Sequence, residues 1–285
     1  MKLIIQPDAG MTPVVKAIKK AKKTIDIVIF RMDRTEIEKA LRAAVDRGVV
    51  VRALIAHTNR GGEKTLRKLE QRFLECGATV SRTADDLPRY HGKMMIVDGT
   101  LHVYGFNYTK LDIEKSRSFG VVTRNKRLVA EAMKLFEADN NRTLYQPGHR
   151  RLVVSPETSR EALTTFVKGA KKQLLIYDEQ VSDNLLQRVL LERAKAGVEI
   201  RIIGKLEKKL PGVKVKRLAD LRLHVRAIVR DGQEAFVGSQ SLRKLELDGR
   251  REVGVVVNDS RIAKKIASVF ETDWAHAQKV QAKAS

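Results

Sequence analysis

The chain has 285 residues, 43% of them hydrophobic, which suffices for one large or two ordinary domains with a well-buried core. Its 56 Lys and Arg against 34 Asp and Glu leave a net charge of +22, which favours an anionic partner, nucleic acid or an anionic membrane surface, although a basic surface also serves solubility alone. A lone cysteine, Cys76, excludes an intrachain disulfide or a thiolate metal cluster. The apolar run at the N-terminus is too short for a signal peptide and none approaches about 18 residues, so a cytoplasmic protein with at most peripheral membrane contact is expected.

Lys2 to Gln6 reads as a short strand ending at Pro7-Asp8. Thr12 is then a candidate N-cap with Pro13 opening a helix, on which Val14, Val15, Ile18 and Ala21 recur at helical spacing. The β-branched run Thr24 to Phe30 suits a buried strand, Glu36 to Arg47 a helix stopped by Gly48, and Val49 to Ile55 the next strand. Helices alternating with continuous apolar strands predict an α/β protein with mostly parallel sheets.

The same phrases return 149 residues later. Leu152-Val153-Val154-Ser155-Pro156 echoes Leu3-Ile4-Ile5-Gln6-Pro7, and Ala196-Gly197-Val198 to Ile203 echoes Arg47-Gly48-Val49 to Leu54. After this strand the offset falls to 133, because the first half carries 16 extra residues, mostly the helical stretch Lys64 to Cys76. Phe119 to Val122 then matches Val253 to Val256, and Leu135 to Asp139 matches Val269 to Asp273. Two α/β repeats related by a pseudo-twofold axis are expected, residues 1–146 and 150–285, joined at Gln146-Pro147-Gly148-His149.

Each repeat carries one motif. His91-Gly92-Lys93 to Asp98 has the spacing HxKxxxxD, and His224-Val225-Arg226 to Asp231 reads HxRxxxxD. Residues two apart on a strand share a face, so each motif should converge an imidazole and a cation, with Asp98-Gly99 and Asp231-Gly232 turning into return strands. Two such units meeting across a twofold axis supply two imidazoles and two cations. That set suits phosphodiester transfer: one imidazole attacks phosphorus, the other protonates the leaving oxygen, and the cations neutralise phosphate oxygens. No HExxH or compact ligand cluster points to a metal, and no cofactor is required.

The paired motifs resemble those of the phospholipase D superfamily, whose HKD motifs sit one in each of two α/β repeats. In that family each motif continues to a Gly-Ser-x-Asn element and then to an acid that orients the histidine. The second repeat has Gly238-Ser239-Gln240-Ser241 and then Glu252; the first has Gly105-Phe106-Asn107, with Ser118 where the acid belongs. The resemblance implies His91 as nucleophile and His224 as general acid, with the roles open to reversal. It implies Lys93 and Arg226 on the phosphate, Glu252 holding His224, and Asn107, Ser239 and Ser241 as supporting donors at the substrate. Asp98 and Asp231 complete the motifs as residues of the substrate site or, more simply, of the turns.

Arg226 in place of Lys keeps the charge but changes its geometry. Ser116-Arg117-Ser118 and Arg250-Arg251 could line the cleft or lie on solvated edges. His57, His102, His149 and His276 read as core or surface residues, and Trp274 as a packing anchor. Three substrate readings follow: a phospholipid-directed phosphodiesterase or phosphatidyltransferase resembling phospholipase D and cardiolipin synthase; a metal-independent nuclease on DNA or RNA, weakened by only 5% aromatic residues for base stacking; and a phosphate-binding paralogue of reduced activity. A monomer should suffice for the active site.

Overall fold

The computed structural model describes residues 1–58 and 62–279, so the expected end of the second repeat at Ser285 lies outside the described residues. The first half runs β1 (Lys2–Gln6), α1 (Thr12–Lys20), β2 (Thr24–Val28), α2 (Thr35–Asp46), β3 (Val50–Ile55), α3 (Gly62–Glu75), β4 (Thr79–Arg82), β5 (Met94–Val97), β6 (Thr100–Tyr104), α4 (Lys110–Glu114), β7 (Ser116–Thr123) and α5 (Lys126–Asn140). The second runs β8 (Leu152–Val154), α6 (Ser159–Lys168), β9 (Gln173–Val181), α7 (Asn184–Lys195), β10 (Glu199–Leu206), β11 (Val213–Arg217), β12 (Arg222–Leu223), β13 (Arg226–Arg230), β14 (Glu234–Gly238), α8 (Lys244–Asp248), β15 (Val253–Val257), α9 (Ser260–His276) and β16 (Gln278–Lys279).

The two sheets have the same strand order, β1-β7-β6-β5-β2-β3-β4 and β8-β15-β14-β13-β9-β10-β11, with β16 on the outer edge of the second. The α/β architecture with two similar halves is as expected, but the sheets are mixed. Apart from the short β12–β7 pair, only β2-β3-β4 and β9-β10-β11 run parallel within them: β5 and β13 lie antiparallel to β2 and β9, and the Asp-Gly turns send β6 and β14 back antiparallel in turn. Asp98 and Gly99 have φ of 45° and 72°, and Asp231 and Gly232 have 54° and 64°. In the first hairpin this left-handed pair is the whole loop between Val97 and Thr100; in the second Gln233 follows it before Glu234 pairs with Arg230.

Gly48 and Gly197 follow α2 and α7 at φ of 82° and 85°, the left-handed conformation that ends a helix at low cost only with glycine. At α1 the expectation differs: Met11 is the N-cap, and Thr12 and Pro13 already lie in the first turn.

Three large apolar clusters make the core. One lies under α1, α2 and α3, a second under α6 and α7. The third joins the halves: Met94, Ile96, Leu101 and Phe119 of the first sheet meet Leu175, Tyr177, Val229 and Val253 of the second, with α5 and α9. Continuous burial across this seam fixes one half against the other. Within it Arg117 bonds Asp273 through Nε (2.8 Å) and Nη2 (3.0 Å), and Tyr177 donates to the same carboxylate at 2.6 Å. Arg251 is likewise buried, against Asp139 at 3.1 Å and Glu157. Arg117 and Arg251 are thus interior seam residues, neither cleft contacts nor solvated edges. Trp274 stacks on Phe270 with ring centroids 5.7 Å apart, as a packing anchor should. Among the described residues no helix is long and apolar enough to cross a membrane.

Candidate active site

The motifs enter the site through two reciprocal strand contacts across the seam. Beside the first, His91 N–H and Gly92 N–H donate to Arg251 O at 2.7 and 3.0 Å, and Arg251 N–H donates to Arg89 O at 2.9 Å. Before the second, β12 pairs with β7, Arg222 opposite Ser116 and Leu223 opposite Arg117, and His224 N–H donates to Arg117 O at 3.3 Å. Each histidine is therefore set by the strand that follows the other half's motif.

This crossing corrects one expectation. Glu252, next to Arg251, holds His91 and not His224: its carboxylate oxygens lie 3.0 and 3.1 Å from His91 Nδ1. Ser118 occupies the equivalent place beside Arg117, and its buried hydroxyl has no partner. His224 faces an acid absent from the sequence reading, Asp112 of α4, with Nδ1 3.3 Å from Oδ2. That contact is close but is not a hydrogen bond. Asp112 is already occupied by Asn107 N–H (2.9 Å), Asn107 Nδ2 (2.8 Å) and Arg222 Nη1 (2.6 Å), so little acceptor capacity is left for the imidazole. His91 is the better-supported imidazole, and it packs edge-to-face with Phe30, ring centroids 4.8 Å apart.

Lys93 and Arg226 complete the cluster. Lys93 Nζ is bonded to His91 O at 2.7 Å and lies 3.1–3.2 Å from both ring nitrogens, against the Nδ1–Cε1–Nε2 edge rather than on one lone-pair axis. Lys93 and His91 sit in the extended segment before β5, which brings them together as the spacing predicted. Arg226, 7% exposed, donates from Nη2 to Glu179 Oε2 at 2.9 Å. Its neighbour Asp178 accepts from Ser241 Oγ and from Leu242 N–H at 2.7 Å.

The remaining predicted residues have supporting places. Ser239 Oγ accepts from Val253 N–H at 3.1 Å beside Glu252, Asn107 holds Asp112, and Ser241 holds Asp178. Asp98 and Asp231 lie elsewhere. β5 runs antiparallel to β2, Met94 opposite Val28, which puts Asp98 at the far end of the strand. Its carboxylate accepts the N–H groups of Lys22, Lys23 and Thr24 at 2.7–2.9 Å. Asp231 does the same for Lys171, Lys172 and Gln173. Both are turn residues and lie outside the substrate site expected for them: three backbone donors satisfy each carboxylate away from the imidazoles.

Burial sets the protonation states. It pushes His91 down to about 4 against the opposing pull of Glu252, with Lys93 adding to the fall. His224 is held well below the usual imidazole value by burial and then by Arg226 and Lys93. Lys93 falls to about 7 through burial, partly offset by Glu252. Glu252 is held down at about 2, because His91 and Lys93 outweigh the upward push of burial. In the free protein both imidazoles are thus neutral, Lys93 gains or loses its proton near neutral pH, and beside them Arg226 keeps its Nε without a partner. Such a set can bind a phosphate anion, present a neutral nitrogen to phosphorus and take up a proton once the anion is bound. Among the described residues no group of three or more His, Cys, Asp or Glu could hold a metal ion.

The fold is a pair of similar α/β halves whose two histidine motifs meet across the seam, and the comparisons with known proteins give the family. The family model for the cardiolipin synthase, PLD-like domain matches residues 14–140 and 163–274. The chain belongs to this phospholipase D-like family. It is similar to cardiolipin synthase A of Erwinia tasmaniensis, 24% identical over 99% of this chain and 71% of that protein. It is also similar to polyphosphate kinase of Vibrio vulnificus, 23% identical over 90% of this chain but 41% of that protein. The solved polyphosphate kinase of Porphyromonas gingivalis superposes with a TM-score of 0.79 at 20% identity, over 96% of this chain and 50% of its own. Phosphatidylserine synthase of Haemophilus influenzae superposes at 0.72 with 11% identity, over 98% of this chain and 87% of its own. The chain thus spans half or less of the polyphosphate kinases it matches.

Proposed function

We propose that the protein is a metal-independent phosphodiesterase or phosphatidyltransferase acting on phospholipid, with its site shared between residues 1–146 and 150–285. The observation that carries this reading is the crossed pairing of two imidazoles with two carboxylates, His91 with Glu252 and His224 with Asp112, around Lys93 and Arg226. Glu252 occupies Nδ1 of His91 and leaves Nε2 to attack phosphorus. As the P–O bond to the headgroup breaks, protonated His224 gives its proton to the leaving oxygen; water or an alcohol, deprotonated by His224, then bonds phosphorus as the Nε2–P bond breaks and His91 leaves. Lys93 and Arg226 hold the equatorial oxygens. The basic surface supplies peripheral attraction to anionic headgroups.

Purified protein is assayed on phospholipid vesicles, plasmid and single-stranded oligonucleotide in EDTA. Headgroup release that is lost in both His91→Asn and His224→Asn is expected. Full activity in either variant overturns the mechanism, and cleavage of nucleic acid with lipid untouched replaces the substrate by DNA or RNA.

A further inference from the structure

Arg226 stands where the motif has a lysine, and it does not stand free. Its Nη2 is bonded at 2.9 Å to Glu179, whose side chain is 34% exposed near the end of β9. The other acids of the site are committed elsewhere: Glu252 to His91, Asp112 to Asn107 and Arg222, and Asp178 to Ser241 and backbone N–H groups. Glu179 alone of these four bonds a phosphate-binding cation while remaining open to solvent. Its charge also reaches Lys93. Arg226 Nε is buried with no partner, so the guanidinium keeps an unused donor for a second oxygen.

We propose that Glu179 is a resident anion competing with the substrate phosphate for Arg226, and so sets the affinity of the site for phosphate oxygens. The proposal rests on the reading of the cluster as a phosphate site. An arriving phosphate takes the Nη2 donor, Glu179 turns to solvent, and Nε gains an acceptor. A partly exposed carboxylate can make that exchange at low cost, whereas a buried one would be left unsolvated. The arginine fork would otherwise grip phosphate and product more tightly than a lysine does. Glu179 is therefore a specificity residue acting through Arg226.

The test is binding of inorganic phosphate by calorimetry to the whole chain, in wild type, Glu179→Gln, Glu179→Asp and Glu161→Gln, the last removing an exposed carboxylate on α6. Phosphate should bind Glu179→Gln about tenfold more tightly. Glu179→Asp should stay near wild type, and so should Glu161→Gln, which separates competition from net charge. With substrate, Glu179→Gln should lower KM while kcat stays level or falls. Equal or weaker phosphate binding by Glu179→Gln, or equal tightening in Glu161→Gln, overturns the inference and leaves the phosphate site standing. Glu179→Ala repeats the measurement should the Gln variant fold poorly. Phosphate bound by neither wild type nor variant defeats the phosphate site itself, and the inference with it.

Discussion

Replacing Glu252 by Gln keeps the size of the side chain and removes its charge, and should be the most damaging of the conservative changes at the site. Glu252 is fully buried and accepts at 3.0–3.1 Å from His91 Nδ1. A charge-assisted hydrogen bond of this kind contributes about 1.5–3 kcal/mol. The carboxylate also stabilises the positive charge that grows on the imidazole as Nε2 bonds phosphorus, at about 4 Å and an effective dielectric near 20 by up to about 4 kcal/mol. The two overlap, so a loss of about 3–5 kcal/mol from the transition state is expected, about 10²–10⁴-fold in kcat. Single-turnover kinetics on the folded variant, checked by thermal melting, reads this loss in kcat and not in KM. A folded Glu252→Gln enzyme within tenfold of wild type would refute the assignment of His91 as the nucleophile.

Asp112→Asn should lower kcat by a smaller factor, about tenfold, because its contact with His224 is 3.3 Å and not a hydrogen bond; the same kinetics compare the two acids. Lys93 lies at about 7, so KM should rise as pH increases through about 7 and its proton is lost, a dependence that Lys93→Arg should remove. His102, 5% exposed with Nδ1 unpartnered, is pushed down to about 4 by burial. Its folded value lies below its unfolded value of about 6.5, so the unfolded chain takes up the proton first and stability falls as pH drops from about 6.5 towards 4. His102→Leu should relieve about 2 kcal/mol at pH near 5 relative to pH near 8 by urea denaturation. Asp273→Asn, which strips Arg117 of its buried partner at the seam, should cost about 3–5 kcal/mol in the same assay.

Local chemistry was the legible part of the sequence. Asp98-Gly99 and Asp231-Gly232 announced their hairpins because a left-handed pair needs those residue types, and the repeat offset placed the strands in matching order. What joins the halves was hidden. Arg251 pairs with residues 89–92 and Arg117 with His224, contacts that span more than a hundred residues and follow no period. The sequence therefore marks Glu252 as an orienting acid but not His91 as the histidine it holds. Asp112 carries no such mark, since it sits in a five-residue helix six positions before Ser118, where the repeat predicts an acid. Glu179 lies at the end of β9, where only the fold reveals that Arg226 comes within reach.

The central claim is that His91 takes the phosphatidyl group from substrate. Wild-type protein mixed with phospholipid, quenched in base during turnover and digested with trypsin, tests it by mass spectrometry of the histidine-containing peptides. The account predicts a phosphatidyl adduct, or the glycerophosphoryl group that base leaves of it, on the peptide Tyr90–Lys93 and none on the peptide carrying His224. An adduct on His224 with His91 unmodified would contradict it.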